Sequence, residues 1–185
     1  VGQPTERVKY AISGVGSALR NTELSLGARW DQITAVIEEV FDFHSMSASI
    51  LTTGWTKATP KEQALFVEYF TEYLEHLYRE KIETYDNQEI TFADERIIGK
   101  RAIVDTIIHA GETDIPVSYA LRKRDGMWYG YDIVIEGLSL VSNYRNSFSP
   151  ILDNHGMDGL LADLREKNEA FSELPEPIQP PSLDQ

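Results

Sequence analysis

The sequence predicts an α+β domain in which helices come first, a four-stranded antiparallel sheet follows, and helices close the chain. Three observations carry that expectation. Apolar residues recur at helical spacing up to about residue 85. From about 89 to 136 they alternate with polar residues instead. The strand candidates there are joined by short turns containing Gly99, Gly111 and Asp125-Gly126, too short for crossover helices, so the sheet should be an antiparallel meander. With 185 residues, 42% apolar and 25% charged, the chain suits one domain over residues 1–173. Residues 174–185, "LPEPIQPPSLDQ", read as an extended proline-rich tail.

In the first helical stretch, "PTERVKYAISGVGSALRN", Val8, Ile12, Val15 and Leu19 share a face. "GARWDQITAVIEEVFD" aligns Trp30, Ile33, Val36, Ile37 and Val40, and Asp42 can cap a short helix around "FHSMSASIL", making three short helices. The sharpest boundary is "TPKE", with Thr59 as N-cap, Pro60 in the first helical position and Glu62 placed for a capping box. The long helix from Pro60 to about Tyr85 carries Phe66, Tyr69, Phe70, Tyr73, Leu74, Leu77, Tyr78 and Ile82. That face is wider than packing on one neighbour requires. It fits either a central helix touching two layers or the wall of a cavity.

Strands are expected at about 89–98, 100–109, 115–123 and 127–136. For the last hairpin, a three-residue loop with Gly126 left-handed would set Leu121 opposite Tyr129, Tyr119 opposite Tyr131 and Val117 opposite Ile133, with the large apolar groups on one face. Ser118, Ala120 and Gly130 would occupy the other. A two-residue loop would place Leu121 opposite Gly130, so the longer loop is the expected register. After Gly137 a helix should run to about Leu152, and an amphipathic one should follow from Asp158 to about residue 171.

The formal net charge of −13 argues against nucleic acid, whose binding needs clustered cations, and opposes anionic headgroups. Any work at a membrane is therefore expected to go through docking on a protein. Without cysteine there is no disulfide or thiolate chemistry. The chain opens on Val1, as after removal of a signal peptide.

Chemical motifs are thin. Ser139 in "GLSLV" stands where a nucleophile elbow would, but Val141 replaces the second glycine, and a helix N-cap fits better. His76 and Glu80 share a helix face without a third ligand nearby. "GVGSAL" lies within a helix instead of after a strand, and His44, His109 and His155 are isolated. Asp105 and Asp132 sit on strands and could form a buried acid pair. Aromatic and aliphatic surface without convergent catalytic groups points to holding an apolar ligand. The competing readings are a small isomerase or dehydratase with an Asp base, and a plain interaction module.

"VFDFHSM", Trp55 before "TPKEQALFVEYF", "LYREKIETY", "MWYGYDIVIEGLSLVSNYRNSF" and "GMDGLLADLREKN" together resemble, over about residues 30–170, the MlaC family of periplasmic phospholipid-binding proteins. The resemblance implies an NTF2-like fold whose curved sheet and helices enclose an apolar cavity for the tails of a diacyl phospholipid. It implies a periplasmic carrier between an outer-membrane lipoprotein complex and an inner-membrane ABC transporter with an MCE-domain protein, maintaining outer-membrane lipid asymmetry. No cofactor, metal or catalysis is expected, and the protein should be a monomer. The residues expected to meet lipid are Phe43, Met46, Leu51 and Trp55 in the short helices, and Phe66, Phe70 and Leu74 in the long one. From the strands come Val104, Val117, Tyr119, Leu121, Tyr131, Ile133 and Ile135. Leu138 should stand at the mouth, and Val141, Tyr144 and Phe148 begin the closing helix. Arg145 is expected in a surface ion pair, with a lipid phosphate as the alternative.

Overall fold

The computed structural model describes residues 2–172; the tail expected at 174–185 lies outside the described residues. Helix α1 (Pro4–Arg20) starts with proline in its first turn and packs antiparallel to α2 (Leu26–Val40), whose N-cap Ser25 accepts from the Ala28 amide at 3.2 Å. Their contact is close because a Cβ on Gly14 would come within 2.9 Å of Val36. Asp42 caps α3 (Phe43–Leu51), accepting from the Ser45 amide at 3.0 Å. A fourth, single-turn helix, α4 (Thr53–Lys57), follows where three short helices were expected. Thr52 allows it by taking a positive φ of 52° between α3 and α4, a break that propensity does not announce. Thr59 accepts from the Glu62 amide at 3.2 Å to open α5 (Pro60–Glu83), the N-cap its sequence predicts, but the Glu62 carboxylate returns no bond among the described residues, so the capping box is half made.

The sheet is a meander of five antiparallel strands: β1 (Ile90–Ile98), β2 (Arg101–Ala110), β3 (Thr113–Arg124), β4 (Met127–Ile135) and β5 (Leu138–Ser139). The fifth strand arises because Glu136 and Gly137 both take positive φ, 50° and 81°. Such a two-residue turn folds Leu138 back onto Ile135. Helix α6 (Leu140–Ser172) is broken at Gly156, φ 68°, between the two segments that the sequence separates.

The β3–β4 register differs from the expected one. Asp125 and Gly126, φ 50° and 81°, form a two-residue turn, and Leu121 faces Gly130. Tyr131 is then the extra residue of a bulge, beyond which Tyr119 faces Ile133 and Val117 faces Ile135. The reason is tertiary. The space above Gly130 is filled by the Phe41 ring, 2.5 Å from where a Cβ would stand, and the Asp42 amide donates to the Gly130 carbonyl at 2.8 Å. Leu121 thus needs no large cross-strand partner. Gly130 is consequently a close-approach site on the Leu121 side, not a member of the Ser118–Ala120 face.

Two apolar clusters result. One joins α3, α5 and α6 around Phe66, Phe70, Tyr144, Phe148, Leu160 and Leu164. The other sets Val8 of α1 against Ala102, Val104, Leu121 and Trp128 of the sheet. Tyr119 and Leu121 therefore pack with α1 and not, as the expected register implied, beside Phe66, Phe70 and Leu74, while Tyr131 packs on the helical cluster.

Candidate functional site

The helical cluster is built from the spacing of α5, which sends Phe66, Phe70 and Leu74 to one side four residues apart. Phe66 and Phe70 stack with ring centroids 5.5 Å apart. Phe148 of α6 meets both edge-on at 6.0 and 5.8 Å, and Tyr144 meets Phe70 at 5.2 Å. Met46 and Leu51 of α3 and Val141 of α6 are buried in the same cluster, with Phe43, Trp55 and Tyr131 half-buried at its margin. Among the expected sheet residues, Val104, Tyr119 and Leu121 belong to the second cluster, Val117 is buried, and Ile133 and Ile135 are half-buried. Leu138 is 61% exposed. Phe41 connects the halves, packing on the helical cluster while its ring lies 6.5 Å from that of Tyr119.

This interior disfavours charge. Burial pushes the Tyr119 hydroxyl up to about 12, with Tyr85 adding to the shift, and burial raises Tyr144 as well, helped by Tyr78 and Tyr73. Both phenols therefore stay neutral. A depression of about 310 Å³ borders Phe41, Phe43, Val67, Thr71 and Tyr129, and another of about 340 Å³ lies between α1, α2 and the end of α5. Each is at the small end of the range of roughly 300–1,000 Å³ for small-molecule sites. The expected lipid-contacting groups mostly contact one another in this closed packing.

The polar candidates have structural partners. Asp132 accepts from the amides of Ile133 at 2.9 Å and Val141 at 3.1 Å, and from the Ser139 hydroxyl, while Ser139 accepts from the Ser142 amide at 3.1 Å. Together they cap α6. Asp105 accepts from Ser118 at 2.6 Å and pairs with Arg96 at 3.0 Å, with β3 between it and Asp132, so the acid pair does not form. Arg145 donates twice to the Ser49 carbonyl, at 3.0 and 2.8 Å, instead of joining an ion pair. The last turn of α3 leaves that carbonyl free for it, and the negative end of the helix dipole favours a cation there. His76 pairs with Glu72 at 3.4 Å and stacks on Phe171.

The sequence reading missed two groups. Leu160, Leu161 and Leu164 complete the helical cluster, and their spacing in "GLLADL" was an available signal. Thr91, His109 and Asp114 form a hydrogen-bonded chain with 2.7 Å links. That order resembles nucleophile, base and orienting acid, yet Thr91 is exposed at a sheet end rather than inside a shaped pocket. A cross-strand polar ladder accounts for it.

Comparison with known proteins agrees with the geometry. The family model described as MlaC protein matches residues 10–166. The toluene tolerance protein ttg2D of Pseudomonas putida is 27% identical over 161 residues, covering 80% of this chain and 74% of that one. The intermembrane phospholipid transport system binding protein MlaC of Haemophilus influenzae is 25% identical over 125 residues, 64% of this chain and 58% of that one. A solved structure of the phospholipid-binding protein from Ralstonia solanacearum, in complex with a phospholipid, has the same fold. It superposes with a TM-score of 0.86 at 22% identity, covering 93% of this chain and all of that one.

Proposed function

The chain belongs to the MlaC family, and from that premise we propose that it binds a diacyl phospholipid and carries it through the periplasm. Its route runs between an outer-membrane lipoprotein complex and an inner-membrane ABC transporter bearing an MCE-domain protein. The observation that carries this reading is the aromatic and aliphatic cluster of α3, α5 and α6, continuous with the sheet through Phe41. Names of relatives and the phospholipid in the structural neighbour point the same way.

The energetics suit a carrier. Hiding an acyl chain from water is worth about 0.8 kcal/mol per methylene, so two chains of roughly fifteen carbons represent on the order of 20 kcal/mol. A carrier that extracts such a lipid must offer comparable apolar surface, and a wall of aromatics and aliphatics does so without polar groups that a tail cannot satisfy. In the closed packing that surface is turned on itself. Admitting tails requires α3, α5 and α6 to part from one another, exchanging side-chain contacts for lipid contacts. Among the described residues no helix is long and apolar enough to cross a membrane.

Native mass spectrometry of the protein purified from a bacterial host tests the proposal. A co-purified mass matching a diacyl phospholipid supports it. Protein that stays lipid-free even after incubation with phospholipid vesicles and its transporter partner would sink it.

A further inference from the structure

Cations are segregated in this acidic chain. Six of its 17 Lys and Arg residues fall within residues 96–101 and 122–127, where Asp125 is the only acid. These segments are the turn ends of the β1–β2 and β3–β4 hairpins, which a meander brings to one end of the sheet. Arg101 lies directly opposite Arg122, and the Lys123 amide donates to the Lys100 carbonyl at 2.8 Å. Arg96 is paired with Asp105 and Arg124 with Asp42. Lys100, Arg101, Arg122 and Lys123 have no carboxylate partner among the described residues; Arg122 and Lys123 lie over the rings of Tyr131 and Trp128.

The same end carries exposed apolar side chains: Ile98 is 81% exposed, Ile97 46% and Met127 44%. Ile98 faces Arg101 in register, so Ile98, Arg101 and Arg122 form a row across three strands. Like charges directly opposite each other destabilise a sheet, and one acidic substitution would relieve them. Charge at a sheet margin can serve to discourage edge pairing, but such a device has no use for an exposed isoleucine.

We propose that this end of the sheet docks on an anionic bilayer. The unpaired cations meet lipid phosphates, and Ile98 and Met127 enter the boundary between headgroups and acyl chains. The net charge of −13 does not prevent this. Screening acts over about 8 Å at physiological salt, whereas β3 alone, 12 residues long, extends about 40 Å from the turn. Most of the acidic surface is thus beyond reach of a membrane that the tip touches. An acidic protein would need a preformed apolar pocket for each projecting turn, which a yielding headgroup layer does not. This proposal runs against the expectation that the net charge of −13 sends membrane work through docking on a protein, and the surface stands apart from the lipid-carrying cluster.

Flotation with vesicles of equal parts phosphatidylethanolamine and phosphatidylglycerol tests it, with phosphatidylcholine vesicles as reference. The full chain should float with the anionic vesicles and lose that association as salt rises. Arg101→Gln, which removes one cation, should weaken it about fivefold, and Arg101→Glu, which changes the charge by two, about thirtyfold, at roughly 1 kcal/mol per charge near such a surface. The melting midpoint of Arg101→Glu should be equal or higher, because Arg122 gains an opposite charge. Arg165→Glu, the same charge change on α6, should float like the parent. No flotation of the parent with anionic vesicles would overturn the proposal, including the case where only an acidic protein is bound. So would equal weakening by Arg101→Glu and Arg165→Glu. Native mass spectrometry of Arg101→Glu should show the parent's bound lipid, which separates this inference from the carrier reading.

Discussion

Gly130 and Glu75 show how much single positions decide. A methyl on Gly130 would collide with the Phe41 ring, which backbone contacts hold in place. Gly130→Ala should therefore cost about 1–3 kcal/mol. Urea unfolding measures this, and the loss should shrink in a Phe41→Ala background, since the two residues share one contact. Equal losses in both backgrounds would place the strain elsewhere. Glu75, half-buried on α5, has its carboxyl pushed up to about 7 by burial, with Glu38 and Glu72 adding repulsion. Its folded value lies above the ordinary 4.5. Between the two, the unfolded chain loses the proton first, so stability falls as pH rises from about 4.5 to about 7. Discounted for partial solvent exposure, the change is about 1–2 kcal/mol. Glu75→Gln should flatten that part of the pH profile and stabilise the protein at pH above 7; an unchanged profile would refute the shift.

At the scale of elements, the turn at Glu136-Gly137 and the cap that follows it determine where Leu138 stands. β5 leaves that side chain 61% exposed beside the start of α6, while Val141, Tyr144 and Phe148 run inward. Under the carrier reading Leu138 lies at the mouth. Leu138→Glu should deplete bound lipid, because a carboxylate there must either be desolvated against acyl chains or draw water into the entrance. Because the position is exposed, cooperative melting should be nearly unchanged. Paired lipid analysis and thermal melting check this, and normal lipid content or a collapsed transition would remove Leu138 from the mouth. Asp132 belongs to the same element boundary. Asp132→Ala removes acceptors from the Val141 amide and the Ser139 hydroxyl, and should destabilise by about 1–2 kcal/mol in denaturant unfolding.

For the whole molecule, the closed helical cluster has a thermodynamic consequence. If opening α5 and α6 exposes that surface to tails, bound lipid stabilises the folded state by mass action. Delipidated protein should melt several degrees below the protein as purified, at about 2–4 °C per kcal/mol for a chain of this size. Re-addition of phospholipid should restore the midpoint. Identical melting with and without lipid would mean that the cluster is ordinary core.

Local chemistry was legible in the residues: Thr59, Asp42 and Ser139 as caps, Pro60 as a first helical position, the alternation of the strands, and the aromatic face of α5. Each of these signals lies within a few residues of what it specifies, since capping bonds and periodic faces are short-range. Register and partnership were decided by contacts distant in sequence. Leu121 can sit opposite Gly130 because Phe41 arrives from another element, Asp132 is a helix cap because α6 starts beside it, and Arg145 ends on the Ser49 carbonyl. A net charge of −13 could be counted from composition, whereas the basic end of the sheet emerged only when the meander set residues 96–101 beside 122–127. A side chain's energy depends on which groups fill the space around it, and in this protein those groups come from elsewhere in the chain.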